Sequence, residues 1–324
     1  MTDAPLRVVV SGASSGIGAA TAIAFAERGA RLVLAARGVS GLEDIADRCR
    51  SAGASAAIVH ATDVTDADAV VALVAAARAE LGGIDLWFSD VGVGVVGRYA
   101  DVPMATHAQV IDANLIGHMN EAHALMPTFL EQERGTWVNM ISVGGFVATP
   151  YAAAYAASKF GLRGFSQALR GELSKHPHIH VCDVYPTFVD TPGVDHAGNY
   201  AGGALGLPPG ALAPETVARA VVRLADHPRN TTVVGAPAVA LKLAQMLVPN
   251  LGAAAINGFM DSYFKRAEPA ADTDGTIHEA AADASGADGG RRRPDQRRTA
   301  GLVALGGAGV LAAVLGTLAL RRRD

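Results

Sequence analysis

The 324-residue chain lacks the features that mark several specialised classes of protein. Its only cysteines, Cys49 and Cys182, cannot build a disulfide framework, and no Cys or His spacing predicts a metal site. Lys and Arg total 27 against 31 Asp and Glu, so the chain has no excess of positive charge that would indicate binding to nucleic acid. The low cysteine content fits a reducing compartment. Hydrophobic residues make up 50% and charged residues 18% of the chain, which excludes a wholly disordered chain and provides for a sizeable core.

The C-terminus carries a run without charge. Residues 300–320 contain no charged side chain over 21 positions. A helix of that length would span roughly 31 Å, close to the hydrocarbon thickness of about 30 Å. Arginines flank the run on both sides, at Arg291, Arg292, Arg293, Arg297, Arg298, Arg321, Arg322 and Arg323. We predict a single transmembrane tail anchor at 300–320 and a short basic end at 321–324, with a buried core helix or dimer helix as the alternative.

Residues 267–299 separate this run from the body of the chain. They are rich in Ala, Asp, Gly and Arg and contain almost no large apolar side chain, which predicts a flexible, disordered linker. The body is then residues 1–266. Its N-terminus lacks the charged start and apolar core of a signal peptide, so we expect the body to be cytoplasmic and attached to a membrane by the tail.

The body alternates between short apolar runs and Ala-rich stretches of helical length. The predicted strands are Leu6–Val10, Arg31–Ala36, Ser55–His60, Ile84–Phe88, Thr136–Ile141, Ile179–Tyr185 and Thr231–Gly235. Alternation of this kind predicts βαβ units and an α/β fold with a doubly wound parallel sheet. Ligands of such sheets bind beyond the carboxyl ends of the strands.

A glycine-rich turn follows the first predicted strand, and a helix-face pair lies further along the chain. Gly12, Gly16 and Gly18 have the G-x-x-x-G-x-G spacing, which lets a backbone approach a pyrophosphate at a helix N-terminus. Tyr155 and Lys159 are four residues apart and therefore share one helix face. A neighbouring ammonium is expected to lower the pKa of a phenol toward use as an acid or base.

With Ser142 at a strand end and Asn114 upstream, the chain resembles the short-chain dehydrogenase/reductase family over roughly residues 5–240. The resemblance implies a seven-stranded Rossmann-type sheet, a nicotinamide cofactor and an oxidoreductase that interconverts a carbonyl and an alcohol. It implies Tyr155 as acid/base, Ser142 as hydrogen-bond partner of the reacting oxygen, Lys159 as ligand of the nicotinamide ribose, and Asn114 as holder of a relay water. We also expect a homo-oligomer, a dimer or tetramer.

The resemblance further implies a set of cofactor-binding residues. They are Gly12, Ser14, Ser15, Gly16, Ile17, Gly18, Arg37, Asp63, Val64, Asp90, Gly92, Tyr155, Lys159, Pro186, Val189 and Thr191. No acid ends the second predicted strand, and Arg37 follows it, so NADP(H) is favoured over NAD(H) unless Arg37 is only a solvated residue. Asp63 is either an adenine contact or a helix cap.

Two motifs depart from the family pattern: Ser89-Asp90-Val91-Gly92 stands where the family has Asn-Asn-Ala-Gly, and the segment from Pro186 to Thr191 stands where it has Pro-Gly-x-Val-x-Thr. Asp90 replaces the second Asn of the Asn-Asn-Ala-Gly motif, and either faces the adenosine half or bonds backbone N–H groups nearby. Thr187 replaces the Gly of Pro-Gly-x-Val-x-Thr.

The substrate is indicated only by apolar composition. Residues 192–214 are expected to form a lid with few charges, and Val91, Val143, Phe146, Tyr151 and Phe188 to line the pocket. An apolar pocket on a membrane-tethered enzyme favours a lipophilic carbonyl or alcohol. The alternative from another class is a membrane-tethered nucleotide sensor or scaffold without turnover.

Overall fold

The computed structural model describes residues 4–208, 210–235, 249–279 and 286–292. The strands of the main sheet are β1 (Arg7–Ser11), β2 (Arg31–Ala36), β3 (Ala56–Ala61), β4 (Leu86–Ser89), β6 (Gly135–Met140), β7 (Ile179–Pro186) and β9 (Thr231–Val234). Two short strands, β5 (Val95–Gly97) and β8 (Gly198–Tyr200), pair with each other outside it. The helices are α1 (Gly16–Ala26), α2 (Val39–Ala52), α3 (Ala67–Leu81), α4 (Met104–Ile111), α5 (Gly117–Gln132), α6 (Ala153–Glu172), α7 (Pro214–Asp226) and α8 (Pro249–Phe264).

The main sheet is parallel throughout and has the strand order β3-β2-β1-β4-β6-β7-β9. Val10 of β1 pairs with Leu34 of β2 on one side and Phe88 of β4 on the other. The strand order reverses between β1 and β4, and this reversal opens a crevice at the carboxyl ends of the two strands. The predicted seven-stranded Rossmann-type sheet is therefore confirmed.

Two buried clusters cover the faces of the sheet, because side chains alternate along each strand. Val8 and Val10 pack in one cluster with Phe25 of α1 and Val221 of α7. Val9 packs in the other, which α3, α5 and residues near α6 complete. Helices on both faces hide both sides of β1, which explains its continuous apolar sequence.

The chain beyond α8 folds back onto the body, so the predicted linker at 267–299 is wrong for the residues that the structure describes there, 267–279 and 286–292. Thr273 and Asn199 exchange two backbone hydrogen bonds, the Ile277 side chain is fully buried, and Ala287 is buried as well. Backbone hydrogen bonds need no apolar side chains, which is why composition alone pointed to disorder.

The predicted tail anchor at 300–320 and the basic end at 321–324 lie outside the described residues. Within the described part of the chain, no helix is both long and apolar enough to cross a bilayer.

Candidate active site

A cavity of about 840 Å³ opens at the carboxyl ends of the strands. The glycine turn and Arg37 line one end, Ser142, Tyr155 and Lys159 line the middle, and apolar side chains line the other end. One cavity therefore brings together the sequence-predicted cofactor groups and the predicted reacting groups. Among the described residues, no cluster of His, Cys, Asp or Glu is placed to hold a metal ion.

The glycine turn connects β1 to α1 and allows only glycine at two of its positions. Gly12 has φ 76°, and a Cβ there would lie 2.8 Å from the carbonyl carbon of Asp90. A Cβ on Gly18 would lie 2.8 Å from the carbonyl carbon of Gly12. Ser14, Ser15, Gly16 and Ile17 line the cavity where α1 begins. This bare backbone at a helix N-terminus fits the pyrophosphate of a dinucleotide.

Helix α6 presents Tyr155 and Lys159 to the middle of the cavity. Ser142, which follows β6, lines the same part of the cavity as Tyr155, and its side chain lowers the pKa of the phenol. The Lys159 ammonium donates to the carbonyl oxygen of Met140 at 3.0 Å. Ser142 has φ 109°, a conformation that non-glycine residues adopt only when their surroundings enforce it. The structure thus brings the three predicted side chains together around one point.

The pKa of Tyr155 is raised, whereas its neighbour Lys159 was expected to lower it. Burial is the main cause of the raised pKa, Asp90 adds to it, and the Ser142 side chain opposes it. The Lys159 Nζ lies 5.8 Å from the centroid of the Tyr155 ring and is directed to Met140. The phenol is therefore held in its protonated form, ready to donate.

Asn114 lies in a π-helical turn, Asp112–Ile116, between α4 and α5. Its Oδ1 accepts the N–H of Val93 at 2.7 Å, and its Nδ2 donates to the carbonyl of Val93 at 2.9 Å. A third bond joins Nδ2 to the Ser158 hydroxyl at 3.2 Å. These bonds make Asn114 a clamp on the cavity-lining segment around Val93, and π-turns of this kind are frequent at functional sites.

Asp90 and Lys159 both line the cavity, and each influences the pKa of the other. Burial raises the pKa of Asp90, and both Lys159 and the backbone N–H of Gly18 oppose the rise. Burial lowers the pKa of Lys159, and Asp90 opposes that change. Asp90 also lines the cavity, so both of the roles considered for it stay open. Gly92 lies beside this pair, because a Cβ there would be 3.7 Å from Lys159 Nζ.

The adenosine end contains Arg37 and Asp63. The Arg37 guanidinium donates to the carbonyls of Thr276 at 2.7 Å and Ile277 at 3.2 Å. Asp63 Oδ1 accepts the N–H of Thr65 at 2.9 Å and its hydroxyl at 2.8 Å, as a cap does, while Asp63 and Val64 also line the cavity. Sequence reasoning missed the contribution of Thr276, because it lies in the segment predicted to be disordered.

The loop after β7 forms the opposite wall of the cleft. Pro186, Val189 and Thr191 line the cavity there. The Thr187 N–H donates to the carbonyl of Val234 at 3.1 Å, so the departure from glycine at Thr187 leaves the loop joined to β9. A Cβ on Gly16 would lie 3.3 Å from the Thr191 side chain, which shows how closely the two walls approach.

The apolar end differs partly from the predicted lining. Val91, Val143 and Phe188 line the cavity as predicted. Phe146 instead packs in the core, with its ring centroid 4.2 Å from that of Tyr185. The Tyr151 hydroxyl contacts Asp261 of α8 in a smaller adjoining pocket. Leu205 and Leu207, which belong to the predicted lid, line this end together with the α8 residues Ile256, Phe259, Met260, Tyr263 and Phe264.

Comparison with known proteins agrees with this geometry. Residues 7–199 match the family model for short chain dehydrogenase. The uncharacterized oxidoreductase YxnA of Bacillus subtilis is 31% identical over 251 residues, which are 75% of this chain and 69% of the relative. The uncharacterized oxidoreductase Lin0452 of Listeria innocua is 36% identical over 185 residues, 57% of this chain and 74% of the relative. An X-ray structure of an alcohol dehydrogenase from the archaeon Thermococcus sibiricus, complexed with 5-hydroxy-NADP, is 27% identical with a TM-score of 0.61, covering 71% of this chain and 94% of that one.

Proposed function

We propose that this protein interconverts a carbonyl and an alcohol with NADP(H). The premise is that the chain belongs to the short-chain dehydrogenase family and is an oxidoreductase of that family. The observation that carries the proposal is the continuous cavity that joins the glycine turn to Ser142 and Tyr155. A nucleotide lying along it would have its phosphates at the start of α1 and its reactive end beside the phenol.

The nicotinamide nucleotide, when bound, supplies or accepts the hydride, and the protein supplies orientation and the proton. Tyr155, with its raised pKa, donates its proton to the carbonyl oxygen during reduction. Ser142 lines the cavity beside Tyr155 and would hydrogen-bond the same oxygen. Lys159 offers its remaining N–H bonds to the nucleotide ribose. Asn114 acts on this site by positioning, because its amide is committed to Val93.

The NADP preference rests on the end of β2. No carboxylate stands there to bond a ribose 2′-hydroxyl, and Arg37 lines the cavity at that point. A guanidinium has five N–H donors in a planar fork that suits a phosphate. The Thermococcus structure, complexed with an NADP derivative, supports the same choice.

The substrate class that we propose is a lipophilic carbonyl or alcohol. The wall of the cavity beyond Tyr155 consists mainly of apolar side chains from α8 and residues 205–208. Pockets that bind small molecules commonly have apolar walls, with a few polar groups that fix the orientation of the ligand. A polar sugar would leave its hydroxyls without partners there.

We also propose attachment to a membrane through residues 300–320, on the uncharged sequence and its flanking arginines alone. A tether of this kind would bring a lipophilic substrate and the cavity to the same surface.

The test of the function is Tyr155→Phe, which removes one hydroxyl. The variant should keep NADPH binding and lose turnover of an apolar ketone by about 10²- to 10⁴-fold, measured by NADPH absorbance. Tyr99→Phe is the matched control, because Tyr99 is an exposed tyrosine whose hydroxyl contacts Met104. Turnover that survives in Tyr155→Phe would refute the assignment of the acid. Nucleotide binding without turnover in the unaltered protein would favour the sensor or scaffold.

A further inference from the structure

Asp190 is a fully buried carboxylate that the scheme above leaves without a role. It lies between Val189 and Thr191, which both line the cofactor cleft. Its Oδ2 accepts the backbone N–H groups of Arg291 and Arg292, each at 2.8 Å. A buried charge is costly unless it is paired and hydrogen-bonded, so these two donors account for its presence.

The segment that supplies these donors, residues 286–292, is called the clasp below. Gly290 of the clasp has φ 72°, the left-handed conformation that lets successive N–H groups converge on one anion. The Gly289 N–H donates to the backbone carbonyl of Asp190 at 3.2 Å. A Cβ on Gly289 would lie 2.9 Å from the Thr191 carbonyl oxygen and would collide with the Asp190 carboxylate. The clasp is therefore fitted closely to this loop.

Charge reinforces the same contact. The Arg291 guanidinium pairs with Asp195 and lies 3.8 Å from Asp190 Oδ1. The Nε of Arg292 lies 3.6 Å from Asp190 Oδ2. Two guanidinium groups thus lie next to the buried carboxylate that accepts the N–H groups of their own backbone.

The other end of the clasp binds the opposite wall of the cleft. The Gly286 carbonyl accepts the N–H of Gly16, the first residue of α1, at 2.9 Å. Ala287 joins the buried cluster against which Ile17 and Val189 pack. The clasp thus connects the glycine turn to the loop after β7.

The clasp makes this connection from outside the cavity. Gly16 and Thr191 line the cavity, while the described lining includes no residue of 286–292. Among the described residues, the clasp is therefore not part of the cavity wall, although it holds the Gly16 N–H at the edge of the cavity.

We propose that Asp190 is a positioning residue for the nicotinamide nucleotide. By binding the clasp, it ties the loop after β7 to the glycine turn and fixes the width of the cleft between them. This inference rests on the proposed function, because the cleft matters only if a nucleotide occupies it.

The expected consequence is on affinity rather than on chemistry. A cleft held at one width is ordered before binding, so the nucleotide does not have to order it. Without the Asp190 carboxylate, the N–H groups of Arg291 and Arg292 lose their acceptor and the two walls separate more easily. Tyr155 and Ser142 belong to other elements, so kcat at saturating nucleotide should be largely kept.

The experiment compares the full-length protein with Asp190→Ala and, from the clasp side, Gly289→Ala. NADPH and NADH are titrated by fluorescence, kcat is measured at saturating nucleotide, and thermal unfolding is followed without nucleotide. Both variants should raise the Kd by about 10- to 100-fold, the range for hydrogen bonds to a charged group. Asp190→Asn keeps one acceptor oxygen, so its Kd should lie between that of the unaltered protein and that of Asp190→Ala.

Asp183→Ala is the control for a merely structural effect. Asp183 is also fully buried, lies in the preceding strand β7, and pairs with Arg170 at 3.0 Å. Its loss should lower thermal stability and leave the nucleotide Kd unchanged.

The outcomes separate the inference from the function on which it rests. Unchanged Kd values in Asp190→Ala and Gly289→Ala, or an equal rise in Asp183→Ala, would overturn the role of Asp190 alone. A full-length protein that binds neither NADPH nor NADH would overturn the proposed function and the inference together. If Asp190→Ala does not fold, the Kd of Gly289→Ala decides.

Discussion

Glu121 provides a stability prediction whose size follows from the structure. This carboxyl lies in α5 with no exposed surface, and its Oε2 accepts the hydroxyl of Ser89. Burial raises its pKa from 4.5 to about 7, although hydrogen bonds from Ser11 and Ser89 oppose the rise. The folded protein therefore holds this proton more tightly than the unfolded chain does.

The sign of the effect follows from which state binds the proton. Between about pH 4.5 and about pH 7 the unfolded chain has released it while the folded chain retains it, so stability falls as pH rises. A difference of about 2.5 pKa units at 1.36 kcal/mol each gives about 3 kcal/mol lost above the folded pKa. Glu121→Gln mimics the protonated form and should lack this loss.

The assay is urea denaturation of both proteins at a series of pH values. The free energy of unfolding of wild type minus that of Glu121→Gln should fall by about 3 kcal/mol from about pH 4 to about pH 8. Glu80→Gln, at an exposed position of α3, is the control and should run parallel to wild type. Parallel curves for Glu121→Gln as well would refute the reasoning.

Two further predictions concern the nucleotide and the membrane. Arg37→Ala should weaken NADPH binding by about tenfold or more beyond any loss of NADH affinity, because a charge-assisted bond to the 2′-phosphate disappears. An equal loss of affinity for the two nucleotides would mean that Arg37 only holds the backbone carbonyls of Thr276 and Ile277. The full-length protein should stay in the membrane pellet through an alkaline carbonate wash, which removes proteins held by charge alone. Release of the protein by this wash would contradict a membrane-spanning segment at 300–320.

Most of the fold could be predicted because the strands are buried on both faces. The run Leu6–Val10 predicted β1 to within one residue of Arg7–Ser11, and Ile84–Phe88 predicted β4 with a shift at both ends. Buried parallel strands are continuous apolar runs, and such runs are visible without any knowledge of the partner strand. The exact ends of a strand depend on backbone hydrogen bonds to its neighbours, and the composition of the strand does not reveal those bonds.

The candidate site was only partly predictable for a related reason. Tyr155 and Lys159 share a helix face by spacing alone, so their meeting follows from the geometry of α6. Asp190 is held by backbone N–H groups about a hundred residues away, which any residue type provides. Only one large apolar residue, Ile277, stands in residues 267–299, so no periodic pattern marked the return of this segment to the body.

The departure at Asp90 alters the electrostatics of the site in one direction. Its carboxylate raises the pKa of Lys159 against the effect of burial, so it favours the ammonium form that can donate to a ribose. The same carboxylate raises the pKa of Tyr155, and so favours the phenol over the phenolate. Both groups are thereby favoured in their protonated forms, and the Tyr155 hydroxyl that gives its proton in reduction is the group that would take one back in oxidation. The Asp at position 90 therefore acts on the protonation of Lys159 and Tyr155, and it does not by itself select a direction for the proposed reaction.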